Sequence, residues 1–379
     1  MTQNPLVSVI MPAFNSARFV GQAVQTVLAQ TYPQVELIVV NDGSTDETET
    51  VLAPYANRIQ IINQANQGVS AARNTGIRAA QGQYIAFLDA DDLMMLDKVE
   101  TQVAVLESRP DVGLVYSGWQ YVAENDLQVV GEMRPRQEGN VLADLLLRRM
   151  FLVPGAVIVR RELFTLVGLF DVNLTVAEDT DLWTRLAYAG CAFAAVPLPL
   201  LQYRMVVGSL TTHPARQFQN ERARLDKFFA QLDLPADVLA LKQPAYAILH
   251  YEFATKFFHR GEWVQGQDYL HQATLLCPTL AQDADWLVEW LAAYALSPDV
   301  ADARQFVDMV LTHLPPSAKT LARLRPRLYG HVHIAAAFQA YHNHQYQRIR
   351  PHILPALFWY PRALLNRGFL RIMVKSLTG

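Results

Sequence analysis

Short apolar runs alternate with amphipathic stretches over the first ninety residues of the chain. Four runs are brief and bounded by polar residues, as buried strands are: 7–11, 35–40, 59–62 and 84–88. The stretches between them have the length and spacing of helices: 16–30, 46–55 and 69–80. This alternation predicts an α/β domain with a mostly parallel sheet, right-handed crossovers and helices on its faces.

A polar segment follows each predicted strand. The carboxyl ends of parallel strands meet along one edge of a sheet, and ligands bind in the crevice outside that edge. Strand order alone therefore predicts that four segments share one crevice: those at Pro12, Asp42, Gly68 and 89–92.

The acidic segment contains Asp89, Asp91 and Asp92 directly after a buried strand. Carboxylates this close repel one another, and desolvation near a core adds to the cost of their charge. A bound Mn²⁺ or Mg²⁺ ion would relieve both effects, because these cations prefer oxygen ligands. The alternative is a helix N-terminus capped by the last two acids, but capping accounts for one or two acids and not for three.

Two further residues suggest a nucleotide. Asp42 can accept hydrogen bonds from a base or a ribose, or it can be an ordinary turn acid before Gly43. Arg73 lies one turn into the helix that starts at Gly68, where it can stack on a base or pair with phosphate, or simply face solvent. No G-x-G-x-x-G and no P-loop motif occurs, which argues against a dinucleotide dehydrogenase and a P-loop NTPase.

Four ordered segments resemble the family 2 glycosyltransferases of the GT-A fold: VSVIMPAFN at 7–15, NDGSTD at 41–46, NQGVSAARN at 66–74 and FLDADD at 87–92. A downstream block is similar to the acceptor-side motif of that family: RELF at 161–164, VGLFD at 167–171 and EDTDLWTRL at 178–186. The resemblance covers about residues 1–212, a little over half of the chain.

The resemblance implies transfer of a sugar, usually UDP-linked, to a hydroxyl with inversion, in cell-surface polysaccharide, lipopolysaccharide or glycolipid synthesis. It implies Asp179 as the general base and Asp91, with Asp89, as the metal ligands. Glu178 and Trp183 fall on the acceptor side, although the acids at 178–181 could also be a first-turn helix cap. The implied donor-binding residues are Pro12, Ala13, Phe14, Asn15, Asp42, Asn66, Gly68, Arg73, Asp89, Ala90, Asp91 and Arg204.

The chain departs from the family pattern twice. Asn41 stands before Asp42, where many members have a second Asp. Val206 stands where the family motif Tyr-Arg-x-His has its histidine, so that role is vacant or falls to His213. Arg204 is expected to reach the donor phosphates.

Composition fits more than one domain. The chain has 379 residues and a net charge of −3, which gives no electrostatic case for nucleic acid. Cys191 and Cys277 lie in apolar surroundings and are expected to be reduced core residues of a cytosolic protein. We expect no signal peptide, because the start lacks basic residues and leads directly into a strand, and no transmembrane helix, because no apolar run has spanning length. We expect a cytoplasmic protein, or a peripheral one at the inner face of the plasma membrane.

We expect three regions: a catalytic domain at 1–214, a helical domain at 215–357 and a basic helix at 358–379. Spacing typical of degenerate tetratricopeptide hairpins ends at Pro278, Pro361 and, less regularly, Pro315. Such hairpins could bind a protein partner, or form an ordinary helical domain.

The last segment, 358–379, has four bases and no acid: Arg362, Arg367, Arg371 and Lys375. Its apolar face is predicted to comprise Leu364, Leu365, Phe369, Ile372 and Met373. This pattern is typical of an interfacial membrane helix, which would suit a lipid-linked acceptor, and equally of a helix docked on the domain.

Two function classes follow. The first is an active glycosyltransferase; the second is a catalytically weak nucleotide-sugar-binding scaffold. Asp42, Asp89, Asp91 and Asp179 are all present, which favours the enzyme. A nucleotidyltransferase is a weaker alternative, because residues 11–18 do not form a glycine-rich basic loop.

Overall fold

A computed structural model describes residues 4–206, 214–281, 285–296, 300, 302–342 and 345–378. The chain divides into two compact units, Met1–Leu234 and Pro235–Gly379. The first unit continues through the helix Pro214–Phe229 to Leu234, beyond the boundary expected at residue 214. His213 lies outside the described residues.

A single mixed sheet forms the centre of the first unit. Within the described residues it has nine strands: β1 Val7–Ala13, β2 Val35–Asp42, β3 Gln60–Gln64, β4 Tyr84–Phe87, β5 Leu93–Met94, β6 Val112–Ala123, β7 Val129–Met133, β8 Val157–Arg160 and β9 Ala192–Met205. Their order in the sheet is β3-β2-β1-β4-β8-β6-β9-β5, with β7 paired to β6.

The prediction of a mostly parallel sheet flanked by helices is confirmed. β1 pairs in parallel with both β2 and β4, and β2 pairs in parallel with β3. Beyond β4 the sheet becomes mixed, because β8 is antiparallel to both β4 and β6 while β6 and β9 are parallel. The helices of this unit are α1 Val20–Leu28, α2 Thr48–Leu52, α3 Val69–Ala79, α4 Lys98–Ser108, α5 Leu142–Leu146, α6 Leu163–Val167, α7 Glu178–Tyr188 and α8 Pro214–Phe229.

The second unit is helical throughout its described residues. Its α-helices are α9 Ala236–Leu239, α10 Lys242–His259, α11 Trp263–Leu276, α12 Asp285–Ala295, α13 Ala303–Thr312, α14 Arg325–His342, α15 Arg350–Trp359 and α16 Arg367–Thr378. Short 3-10 helices join several of them: Pro278–Ala281, Pro316–Leu324, Tyr346–Arg348 and Pro361–Leu365.

Helices α10 and α11 form a tight hairpin, where the sequence predicted one. A Cβ atom at Gly266 would lie 2.4 Å from the Phe258 ring, so only glycine allows this approach. Ala254, Leu270 and Ala273 are buried in the same apolar cluster. These contacts confirm a helical hairpin, whereas its likeness to a tetratricopeptide repeat stays a proposal.

The last segment is not one continuous helix. A 3-10 turn at Pro361–Leu365 precedes α16. Phe369 and Ile372 of α16 are buried against α14, as a docked helix requires, while Leu365 remains 81% exposed. No helix in the described part of the chain is both long enough and apolar enough to cross a bilayer.

Candidate active site

The loops that follow β1 and β2 are joined at the carboxyl edge of the sheet. Asn15 donates its backbone N–H to Ser44 Oγ at 3.0 Å and accepts from the backbone N–H of Thr45 at 2.8 Å. Pro12 and Ala13 are buried at the end of β1, while Phe14 next to them is 48% exposed. The predicted segments at Pro12 and Asp42 therefore share one edge.

Asp42 organises the loop that leads into α3. Its Oδ1 accepts from Gln64 Nε2 at 2.7 Å and from the backbone N–H of Gln67 at 3.0 Å, and its Oδ2 accepts from the backbone N–H of Gly68 at 2.8 Å. Gly68 has a φ of +88°, a value that glycine adopts without strain. Asn66 in this loop is exposed. The carboxylate thus shapes the crevice wall in this structure.

The acidic loop after β4 holds carboxyl groups whose charged forms are poorly stabilised. Desolvation, followed by the charge of Asp89, raises the pKa of Asp91 to about 6. Burial raises the pKa of Asp92 well above its usual range, and the charges of Asp91 and Asp89 add to this. Ala90 between the acids is buried. These are the conditions in which a nearby cation is favourable.

Arg204 and Asp92 tie this loop to β9. The backbone N–H of Arg204 donates to Asp92 Oδ1 at 2.9 Å, and Arg204 Nε donates to the Asp91 carbonyl at 2.7 Å. The other guanidinium nitrogens donate to the Glu124 carbonyl at 2.7 Å and to Gln22 Oε1 at 2.9 Å. Arg204 is only 4% exposed, so its guanidinium holds the loop instead of facing the crevice.

Arg73 joins the acidic loop to the start of α7. Its Nη2 lies 2.7 Å from Asp89 Oδ1, and its Nη1 lies 2.7 Å from Glu178 Oε1. The guanidinium carbon lies 5.4 Å from the centre of the Phe170 ring. Burial alone would lower the pKa of Arg73, but the charges of Asp89 and Glu178 raise it. The arginine is therefore buried and fixed between two acids.

The start of α7 carries the predicted base. Desolvation and the charge of Glu178 raise the pKa of Asp179 to about 7, while the charge of Arg73 acts in the opposite direction. The residue before Glu178, Ala177, has a φ of +67°, a left-handed conformation that costs an alanine about 1 kcal/mol. A half-buried carboxyl that titrates near neutral pH can accept a proton under physiological conditions.

Trp183, a residue of α7, packs that helix against the core. The indole is fully buried, with its ring centre 6.4 Å from those of both Phe87 and Phe170. The sequence placed Trp183 on the acceptor side, but in this structure its contacts are those of a core residue. It holds the helix that presents Glu178 and Asp179.

Three contributors to the site were not predicted. The sequence identifies Asp92 only as an acid of the cluster, because its hydrogen bond to β9 is a long-range contact without a local signal. Asn74 exchanges two hydrogen bonds with the backbone of Phe170, at 2.8 and 2.9 Å, and so places the ring beneath Arg73. Glu221 on α8 adds negative charge near Asp179. Asn74 stands within the quoted motif at 66–74, which is the one signal that could have found it.

The donor set suits a divalent cation completed by a substrate. No group of three or more His, Cys, Asp or Glu side chains in the described ranges is arranged to hold a metal ion. Mg²⁺ sites in transferases commonly use one or two carboxylates and take further ligands from substrate phosphates and water. Asp91 with Asp89 fits that kind of site, since burial and the charge of Asp89 both raise the pKa of Asp91 and a bound cation would oppose both effects.

Comparison with known proteins agrees with this geometry. The family model for glycosyl transferase family 2 matches residues 8–166. An uncharacterized glycosyltransferase of Haemophilus influenzae is 30% identical over 238 residues, which cover 59% of this chain and 72% of that protein. The chain belongs to glycosyltransferase family 2. TuaG of Bacillus subtilis, provisionally named as a teichuronic acid biosynthesis glycosyltransferase, is 29% identical over 213 residues, covering 55% of this chain and 82% of TuaG.

The chain spans about three fifths of the length of some relatives. An uncharacterized glycosyltransferase of Rickettsia typhi is 35% identical over 189 residues, which cover 48% of this chain and 59% of that protein. Structural similarity identifies the fold as GT-A. Residues 1–349 of Staphylococcus aureus TarS, solved with UDP-GlcNAc, align over 84% of this chain and 92% of that one at 19% identity and a TM-score of 0.54. The Pyrobaculum calidifontis mannosyltransferase PcManGT, solved with GDP-Man and Mn²⁺, aligns over 84% and 87% at 22% identity and a TM-score of 0.51.

Proposed function

We propose that this chain transfers a sugar from a nucleotide sugar, most simply a UDP-sugar, to a hydroxyl of a cell-surface polysaccharide, lipopolysaccharide or glycolipid precursor, with inversion at the anomeric carbon. The observation that carries the proposal is the guanidinium of Arg73, which brings the acidic loop and the start of α7 within one side chain of each other. The relatives support the class of product, since TuaG is provisionally named for a cell-wall polymer. The complexes of TarS and PcManGT support a nucleotide-sugar donor.

The donor pocket that we propose lies along the carboxyl edge of β1 to β4. Its wall would comprise Pro12, Ala13, Phe14, Asn15, Asp42, Asn66, Gly68, Arg73, Asp89, Ala90 and Asp91. A Mn²⁺ or Mg²⁺ ion held by Asp91 and Asp89 would neutralise the charge of the departing diphosphate. Arg204 acts as a positioning residue in this proposal, because its hydrogen bond to the Asp91 carbonyl holds the backbone that carries that carboxylate.

Asp179 is the proposed general base, and Glu178 lies beside it on the acceptor side. The carboxylate takes the proton of the acceptor hydroxyl, and the acceptor oxygen forms a bond to the anomeric carbon. The bond from that carbon to the diphosphate breaks, and the diphosphate leaves with its electron pair. A single displacement of this kind inverts the anomeric configuration, so the stereochemistry of the product reports the mechanism directly.

An acceptor linked to lipid would place the reaction at the inner face of the plasma membrane. The helical hairpins of the second unit are a proposed surface for a protein partner. The competing proposal, a nucleotide-sugar-binding scaffold without turnover, predicts binding of the same donors.

Turnover of a donor panel separates these proposals. The purified chain is incubated with UDP-GlcNAc, UDP-glucose, UDP-galactose and GDP-mannose in the presence of Mn²⁺, and nucleoside diphosphate release is measured. An active glycosyltransferase should release nucleoside diphosphate from one or more donors. Its melting temperature should rise with the same donors, because ligand binding stabilises the fold. Donor-specific stabilisation without release, in the presence of an acceptor extract, would favour the scaffold.

A further inference from the structure

The charge of the chain is distributed very unevenly. Residues 309–379 contain ten Lys and Arg and no Asp or Glu, whereas residues 1–308 contain 22 Lys and Arg against 35 Asp and Glu. The net charge of −3 for the whole chain therefore hides a strongly basic region. A basic region of this size attracts polyanions or anionic surfaces.

The last two long helices lie side by side on α14. Apolar residues of α15 and α16 share one cluster with α14: Ile334, Ala337, Ala340, Ala356, Phe369 and Ile372. Arg350 at the start of α15 donates to the carbonyl of Ser376 near the end of α16, at 2.8 Å, so the two helices run antiparallel. Because α14 covers the inner face of each helix, their outer faces are neighbours on the surface of this unit.

Exposed large apolar side chains and exposed bases occur together on α15, α16 and the turn between them. Arg350, Leu354 and Phe358 recur every fourth residue along α15, and the last two are 76% and 75% exposed. Leu365, in the turn before α16, is 81% exposed. On α16 an exposed basic stripe also recurs every fourth residue: Arg367, Arg371 and Lys375. Three large apolar side chains this exposed, on the same two helices and turn as the bases, favour an interaction surface over a fully solvated face.

We propose that this basic apolar face, formed by α15, the 361–365 turn and α16, docks on an anionic lipid bilayer. Lipid head groups supply the negative charge, and the acyl region accepts the leucine and phenylalanine side chains that a nucleic acid backbone would leave in water. The apolar anchors are Leu354, Phe358 and Leu365, since Phe369 and Ile372 are already used inside the protein. This inference goes beyond the proposed function and holds whether or not the chain transfers sugar.

Vesicle sedimentation with the full chain tests the proposal. Phosphatidylcholine vesicles in which about one lipid in three is phosphatidylglycerol are compared with vesicles of pure phosphatidylcholine, both at about 0.1 M salt. The charge variant is Arg362→Gln, Arg367→Gln and Arg371→Gln; the apolar variant is Leu354→Ser, Phe358→Ser and Leu365→Ser. A matched control removes three exposed arginines of the first unit: Arg58→Gln, Arg78→Gln and Arg136→Gln.

The proposal predicts binding to the anionic vesicles at least tenfold tighter than to neutral ones. The charge variant should bind the anionic vesicles about 100-fold more weakly, at about fivefold for each base, and the matched control should bind like wild type. The apolar variant should also bind vesicles more weakly, yet bind a 20-base-pair DNA duplex like wild type. Equal binding of wild type to both vesicle types would overturn the proposal without use of any variant. If the apolar variant binds vesicles like wild type, and wild type binds DNA tightly, the face would be assigned to a polyanion instead.

Discussion

Asp89 and Glu178 are joined through one guanidinium, since Arg73 places Nη2 2.7 Å from the first and Nη1 2.7 Å from the second. One acid follows β4 and the other begins α7, so this pair of contacts connects the proposed donor and acceptor sides. The arginine also lowers the pKa of the neighbouring Asp179, which burial and Glu178 raise. Arg73 therefore has two measurable roles, in geometry and in the ionisation of the proposed base.

Arg73→Met should shift the pH dependence of turnover. In wild type, activity should rise with pH through about 7, because Asp179 must lose its proton to act as a base. Loss of the neighbouring positive charge removes an influence that favours the carboxylate, so the midpoint should move to higher pH. Arg78→Met, an exposed arginine of the same helix, is the matched control. An unchanged pH profile in the Arg73 variant would contradict the electrostatic role.

Asp91→Asn should abolish Mn²⁺-dependent turnover and leave the fold intact. The substitution removes a ligand charge and also removes the repulsion between Asp91 and Asp89 that contributes to the raised pKa of Asp91. Diphosphate release is measured against Mn²⁺ concentration, with melting temperature as the test of folding and Asp111→Asn, at an exposed position, as the control. Wild-type activity that persists in excess EDTA would rule out the metal assignment.

Arg204→Lys distinguishes positioning from phosphate binding. Lysine keeps the charge but cannot donate to the Asp91 carbonyl, the Glu124 carbonyl and Gln22 together. The free energy of unfolding of the unliganded protein should therefore fall by about 1–3 kcal/mol for each buried acceptor that is left unsatisfied. Its Mn²⁺ affinity in the presence of UDP should fall as well. If Arg204 instead contacts the donor phosphates, UDP affinity should fall while the melting temperature stays at the wild-type value.

The sequence predicted the sheet and its crevice well because both follow from local patterns. Apolar runs such as that of β4 define strands, and parallel strand order brings Asp42 and Gly68 to one edge. It did not predict the second half of the sheet, where β9 pairs with β6 in parallel and with β5 in antiparallel fashion. Those pairings join segments far apart in the chain, and no short-range periodicity encodes them.

The sequence did not predict which groups the long polar and aromatic side chains contact. The family motif places Arg204 at the phosphates, but its guanidinium donates to two backbone carbonyls and to the Gln22 side chain. The motif places Trp183 at the acceptor, but its indole lies in the core. A residue type and its place after a strand do not specify where a long side chain turns. The structure supplies that information through burial and distances.

Stability of the second unit should decrease in mild acid. His333 and His352 lie with their Nδ1 atoms 3.0 Å apart, a distance that needs at least one neutral ring. Burial lowers the pKa of both, and the charges of His352 and Arg304 also act on His333. Because the folded pKa values lie below the unfolded value of 6.5, the stability contribution is present above pH 6.5 and is lost as pH falls below it.

Urea unfolding at several pH values between about 5 and 8 measures this effect. The free energy of unfolding of wild type should fall toward acid pH, and His352→Asn should reduce the slope because one titrating ring is removed. A slope identical in the variant would assign the pH dependence to other groups.

The behaviour of Asp179→Asn tests the central claim most directly. The variant keeps the shape of the side chain but cannot accept the acceptor proton, so turnover should fall on the order of 10²–10⁴-fold while UDP affinity by calorimetry stays at the wild-type value. Its melting temperature should not decrease, because asparagine keeps the Oδ1 atom that accepts from the backbone N–H of Thr180 and the poorly solvated charge is removed. Asp126→Asn, at an exposed position, should match wild type in all three measurements. Normal turnover together with a lower melting temperature would show that Asp179 is structural and that the base lies elsewhere.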